Sequence, residues 1–126
     1  MPQQIMVIDD VGGIRQLLCD GLNAAGYGVC MAANGQQGLA LFLMQPTDLV
    51  ITDIFMPEGD GLEVIRSLRK THPTLPIIAI SGDGRLPHQM MLPVAKALGA
   101  NLVLTKPFRM RDLITSVKQL LTPPAV

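Results

Sequence analysis

The chain holds 126 residues, 48% hydrophobic and 16% charged, and its ten acids balance its ten bases. That length fits one domain with a real core, and that composition excludes a disordered chain. No apolar run approaches the roughly 18 residues of a membrane span, and Met1-Pro2-Gln3-Gln4 runs straight into a strand-like segment, so no membrane partner, no signal peptide and a cytoplasmic location are expected.

Ile5-Met6-Val7-Ile8 is a short apolar run ending in Asp9-Asp10, and it reads as the first strand. Ile14, Leu17, Leu18 and Leu22 follow at helical spacing, with Gly26 placed as a C-cap glycine. Val29 to Ala32 reads as the second strand, broken by Asn34-Gly35. Gly38 to Met44 reads as a helix apolar almost all round, stopped by Pro46. Leu49-Val50-Ile51-Thr52-Asp53 opens as an unbroken apolar run, the pattern of a strand buried on both faces of a parallel sheet. It ends in a lone carboxylate, and Met56-Pro57 and Gly59-Asp60-Gly61 mark the loop beyond.

Leu62, Ile65 and Leu68 give the third helix, with Arg66, Arg69 and Lys70 near its end, where cations suit the dipole. Leu75 to Ile80 is the fourth strand, ending in Ser81-Gly82-Asp83-Gly84. Pro87 and Pro93 predict that only the last part of Arg85 to Leu98, up to Gly99, is a regular helix. Leu102-Val103-Leu104 is the fifth strand, running into Thr105-Lys106-Pro107. Leu113, Ile114, Val117, Leu120 and Leu121 mark an amphipathic last helix, closed by Pro123-Pro124.

Five strands alternating with five helices predict an α/β fold, a doubly wound parallel sheet with right-handed crossovers and helices on both faces. One domain over residues 1–126 is expected, with its core at about 4–121 and residues 122–126 as a tail or the stump of a linker. Cys19 and Cys30 lack metal-type spacing and read as buried free thiols. Residues 1–63 hold eight acids and one base, Arg15, and residues 64–126 hold nine bases and two acids, a split of −7 against +7. Such asymmetry points to oriented partner binding, or is an accident of a small domain.

In a parallel sheet all strand ends open on one edge, where open α/β folds place their ligand chemistry. Asp9-Asp10, Asp53, Ser81 and Lys106 stand at four of those ends. Singly each has a plain reading: Asp9 or Asp10 as a helix cap, Asp53 and Ser81 as turn residues, Lys106 as a solvated charge. Together, three carboxylates repel one another unless a cation holds them. A few oxygen ligands with room for water suit Mg²⁺, and a lysine and a hydroxyl opposite would complete a phosphoryl site. Gly12-Gly13 lacks dinucleotide-binding spacing and no P-loop is present.

Asp-Asp, then Asp53 before Met56-Pro57 and Asp60-Gly61, then Ser81-Gly82, then Gly99-Ala100 and Lys106-Pro107-Phe108 resemble the receiver domain of two-component response regulators over about Gln4 to Leu121. The resemblance implies a CheY-like, flavodoxin-like sheet of order 2-1-3-4-5, Asp53 as phosphoacceptor, and Mg²⁺ on Asp9, Asp10, Asp53 and the Phe55 backbone carbonyl. It implies Lys106 and Ser81 as phosphoryl-binding groups, turn residues at Pro57, Gly61 and Pro107, and a cis Lys106-Pro107 bond. Gly82 and Asp83 follow Ser81 in the switching loop. Asp83 and Phe55 are expected to flank the path of hydrolytic water, so that Phe55→Asn changes phosphate release. The implied partners are a sensor histidine kinase or phosphotransfer protein, and a downstream effector met through the fourth helix, fifth strand and fifth helix. No direct nucleic-acid contact is expected.

The chain departs from the commoner receiver pattern in three places. Val103 stands where an aromatic switch residue is usual, the segment from Ser81 to Gly99 is about three residues longer by that pattern, and Ser116 replaces a basic residue that helps some receivers dimerise. That dimer is not implied here, and another homodimer stays open. Lys96, Arg109, Arg111 and Lys118 are expected on or near the last two helices, as a basic face for an acidic partner or as ordinary solvated charge. The leading reading is a signalling module, single-domain or cut from a larger regulator, whose only chemistry is on itself. A second is a receiver-like interaction module that ignores phosphorylation. A third, an aspartyl phosphatase, needs a second acid two residues after Asp53, where Phe55 stands.

Overall fold

The structure is a computed structural model that describes residues 2–54, 56, 61–81 and 88–121, without the side chains of residues 88–92. The elements are β1 (Gln4–Ile8), α1 (Gly12–Ala24), β2 (Gly28–Ala32), α2 (Gly35–Met44), β3 (Leu49–Asp53), α3 (Gly61–Thr71), β4 (Ile77–Ser81), α4 (His88–Leu98), β5 (Leu102–Thr105) and α5 (Met110–Leu121). The five strands form one parallel sheet of order β2-β1-β3-β4-β5, the expected doubly wound arrangement. Its register runs through Val7↔Ile51, Ile51↔Ile78 and Ile80↔Leu104.

Strand side chains alternate between two faces, and the core divides accordingly. Met6, Ile8, Val50, Ile77 and Ala79 pack with Phe42, Val64, Ile65, Leu68 and Ala95 of α2, α3 and α4. Ile5, Val7, Leu49, Ile51, Ile78 and Ile80 pack with Leu18, Leu22, Leu113 and Val117 of α1 and α5. Every residue of β3 and β4 is buried, which accounts for their continuous apolar sequences, whereas β5 at the sheet edge is only half-buried. No described helix is long and apolar enough to cross a membrane.

The helix ends are set by local chemistry. Gly26, with φ of 100°, closes α1: its amide donates to the Asn23 carbonyl and that of Tyr27 to the Leu22 carbonyl, the pairing that satisfies the last carbonyls of a helix. Asn34 does more than break a strand. Its side chain accepts from the Gln37 amide at 2.9 Å while the Gln37 side chain accepts from the Ala33 amide at 3.1 Å, so α2 starts at Gly35, three residues before the apolar run.

Two expectations are corrected. The α4 helix is regular from His88 and passes through Pro93. Proline there forfeits a ladder bond, and Ala95, two residues on, is fully buried in the core and holds the helix against the sheet. Leu17 shares the apolar helical spacing of α1 but is 63% exposed. Leu18 and Leu22 share the buried face four residues apart, and Leu17 lies about 100° around the helix from Leu18.

The far rim of the sheet is tied by Arg69. Its guanidinium donates to the carbonyls of Gly99 (2.9 Å) and His72 (2.9 Å) and to Asn101 Oδ1 (2.8 Å). Asn101 Oδ1 also accepts from the Ile77 amide at 2.8 Å, so α3, α4, β4 and β5 meet at one corner. Burial pushes the Arg69 guanidinium below its ordinary pKa.

Candidate functional site

The sheet's own hydrogen bonds carry the site residues past the strand ends. The Asp9 amide donates to the Ala32 carbonyl (3.2 Å), that of Ile54 to Ile80 (2.9 Å) and that of Lys106 to Ser81 (2.8 Å). Asp53 itself pairs with Ile80 in the β3–β4 register, and Ser81 pairs with Thr105. Main chain therefore fixes these residues on one rim.

Gly61 belongs to the same corner. Its amide donates to the Ile54 carbonyl at 3.0 Å, and a Cβ at Gly61 would collide with the Asp53 carbonyl oxygen. The start of α3 can approach the end of β3 only through glycine.

Carboxylate oxygens of Asp9, Asp10 and Asp53 lie within 4.8 Å of one another. Asp9 and Asp53 are buried, at 1% and 6% exposure, and Asp10 is exposed. Lys106 Nζ sits 3.3 Å from Asp53 Oδ2 and 3.7 Å from Asp9 Oδ2, answering two acids with one ammonium. Asp9 Oδ1 accepts from the Val11 amide at 2.9 Å, but among the described residues buried Asp9 Oδ2 has no hydrogen-bond partner, and neither does the buried Ser81 Oγ. A buried oxygen left so costs on the order of 1–3 kcal/mol. Three clustered carboxylates, two of them beside one lysine, form an all-oxygen donor set that fits a hard divalent cation.

The structure thus brings together Asp9, Asp10, Asp53 and Lys106, and it puts Ser81 on the same rim. The Lys106-Pro107 bond is cis. Phe55, Pro57, Gly82 and Asp83 lie outside the described residues. Val103 is half-buried and packs on the α2–α4 side of the core. Lys96, Arg109, Arg111 and Lys118 are all exposed, and the Ser116 hydroxyl donates to the Asp112 carbonyl at 2.9 Å.

Two further features adjoin the site. Arg15 Nη1 donates to the Asp9 carbonyl at 2.7 Å. Its sequence signal is weak: one base among eight acids in the first half of the chain. A groove of about 610 Å³, lined by Ile14, Leu17, Lys106, Pro107, Phe108 and Met110, runs between α1 and the β5–α5 connection and reaches Lys106. Only the exposure of Leu17 discloses it.

Residues 5–118 match the family described as Response regulator receiver domain. The chain is 35% identical over 121 residues to the response regulator MprA of Mycolicibacterium vanbaalenii, covering 96% of this chain and 51% of that one. It therefore spans about half the length of that relative. Sporulation initiation phosphotransferase F of Bacillus subtilis is 33% identical over 121 residues, covering 96% and 95% of the two chains. The crystal structure of the receiver domain of NtrX from Brucella abortus superposes with a TM-score of 0.86 at 30% identity, over 95% of this chain and 99% of that one. A match across nearly the whole sheet-and-helix core, with the acids and the lysine gathered at one rim, assigns the chain to the receiver domains of two-component response regulators.

Proposed function

We propose that Asp53 is the phosphoacceptor of this receiver and that Asp9, Asp10 and Asp53 hold the Mg²⁺ on which receiver domains generally depend. The observation that carries the reading is the pairing of Lys106 Nζ with Asp53 Oδ2 at 3.3 Å, amid three carboxylates whose oxygens lie within 4.8 Å of one another. Bound there, Mg²⁺ would neutralise charge on the phosphoryl oxygens.

A carboxylate oxygen of Asp53 attacks the phosphorus of a donor phosphohistidine. The O–P bond forms as the N–P bond breaks, and the bonding pair returns to the imidazole, which takes up a proton. Lys106 stabilises the charge spread over the phosphoryl oxygens, the electrostatic part of a step that needs mainly positioning. The Ser81 hydroxyl, buried with no hydrogen-bond partner among the described residues, donates to a phosphoryl oxygen once the group is in place, and so draws on the segment that follows β4.

Receiver domains interact with histidine kinases or phosphotransfer proteins and with effectors. The groove between α1 and Pro107-Phe108 is the approach for the donor, because it is apolar and ends at Lys106. The exposed bases Lys96, Arg109, Arg111 and Lys118 mark the α4–β5–α5 side as the effector face.

The test is labelling by acetyl phosphate with Mg²⁺, read by intact mass. The parent gains one phosphoryl group and Asp53→Asn gains none; equal labelling of the two would refute the assignment.

A further inference from the structure

The first turn of α1 lacks the usual means of holding a helix start. Val11 occupies its N-cap with no side-chain cap bond, no acid lies in the first turn, and its opening residues are Gly12 and Gly13, poor helix formers. Arg15 sits in the same turn, where the dipole disfavours a cation. Yet this turn presents Asp9 and Asp10 to the site.

Bonds converging on Asp9 hold it instead. The Val11 amide donates to Asp9 Oδ1 at 2.9 Å and Arg15 Nη1 donates to the Asp9 carbonyl at 2.7 Å. The Arg15 amide donates to the Val11 carbonyl at 2.9 Å, closing the turn. The Arg15 guanidinium lies over the start of the helix, 3.5 Å from where a Cβ at Gly12 would stand.

Resting on the reading of Asp9, Asp10 and Asp53 as a Mg²⁺ site, we propose that Arg15 is a positioning residue for that site. Its guanidinium fixes the Asp9–Asp10 main chain in place of a helix cap, so that Asp9 Oδ2 and the Asp10 carboxylate stay aimed at Asp53.

A plain counter-charge role has the opposite sign. A guanidinium bonded to the Asp9 carbonyl places positive charge near the acid cluster and opposes a second cation, so loss of its charge alone tightens Mg²⁺ binding. Loss of a restraint on a metal ligand weakens binding, typically by about 10–100-fold.

The experiment is a Mg²⁺ titration of the full chain followed by amide chemical shifts, for the parent, Arg15→Met and Arg15→Lys. The parent saturates, Arg15→Met binds about tenfold more weakly or worse, and Arg15→Lys, which keeps one donor, recovers part of the loss. Equal or tighter binding by Arg15→Met overturns the proposal and leaves the metal site standing, and so does an Arg15→Lys no better than Arg15→Met. If Arg15→Met does not fold, Arg15→Lys decides: weaker binding than the parent supports the proposal, and equal or tighter binding overturns it. A parent that binds no Mg²⁺ removes the site and this inference together.

Discussion

Lys106 and Asp53 are 53 positions apart in sequence, and their Nζ and Oδ2 atoms stand 3.3 Å apart across the sheet edge. The same ammonium lies 3.7 Å from Asp9 Oδ2, so one flexible side chain answers two buried acids. Lys106→Met should fold, since its stem lies partly in solvent, and should bind Mg²⁺ at least as tightly as the parent, having lost a competing cation. Labelling by acetyl phosphate should slow by about 10²-fold, the scale seen when one preorganised charge-stabilising donor is removed. Mg²⁺ titration and labelling rate, measured on one sample, separate the two effects; an unchanged rate would remove Lys106 from the chemistry.

Leu17 gives a second split. It is 63% exposed and lines the groove that leads to Lys106, without touching the acids. Leu17→Gln should leave labelling by acetyl phosphate within about twofold of the parent, because surface changes of this kind rarely cost more than ~0.5 kcal/mol. Transfer from a phosphorylated histidine protein should fall by about tenfold, since an apolar anchor at an interface is worth more than ~1 kcal/mol. Equal losses with both donors would place Leu17 in the fold and not in docking.

Gly61 and Gly13 make a controlled pair. A Cβ at Gly61 meets the Asp53 backbone, whereas one at Gly13 has nothing within 4 Å. Gly61→Ala should lower stability by about 2 kcal/mol, the range for overpacking against rigid neighbours. That corresponds to a fall in Tm of roughly 8 °C for a domain of this size. Gly13→Ala should raise stability by up to ~1 kcal/mol, as alanine loses less freedom on entering a helix. Thermal unfolding of the two variants decides both signs.

Cys30 should make stability fall in alkaline solution. Burial raises its thiol above the ordinary pKa, so the folded state holds the proton more firmly than the unfolded chain does. The resulting stabilisation is complete below the unfolded thiol's pKa and is lost as pH rises through the folded one. Urea unfolding from neutral pH to pH 10 should show this loss, and Cys30→Ala should abolish that part of it. A parent and variant with the same pH slope would discount the thiol.

The strands were legible because β3 and β4, buried on both faces, admit almost nothing but apolar residues before Asp53 and Ser81. The site was legible for a related reason: once the strands are parallel, their polar ends must share a rim. Local patterns could not anticipate side chains serving remote backbone. Arg69 looked like a cation placed for the dipole of α3, and its three acceptors lie mostly on other elements. Arg15 had no partner in sequence at all, because its acceptor is a carbonyl. Pro93 misled, since local propensity yields where tertiary packing holds a helix, and Ala95, two residues on, is fully buried. The reading as a module indifferent to phosphorylation gains nothing from a rim that assembles three acids, a lysine and a buried hydroxyl.

The corner that Arg69 builds at Gly99 and Asn101 ties down the chain just beyond α4. The helix is 11 residues long, about 16 Å, and it is moored at the end remote from Asp53. Through Arg69 the chain closes a corner between α3 and the connection from α4 to β5, so that the end of α4 is held by a side chain 30 positions earlier in the sequence.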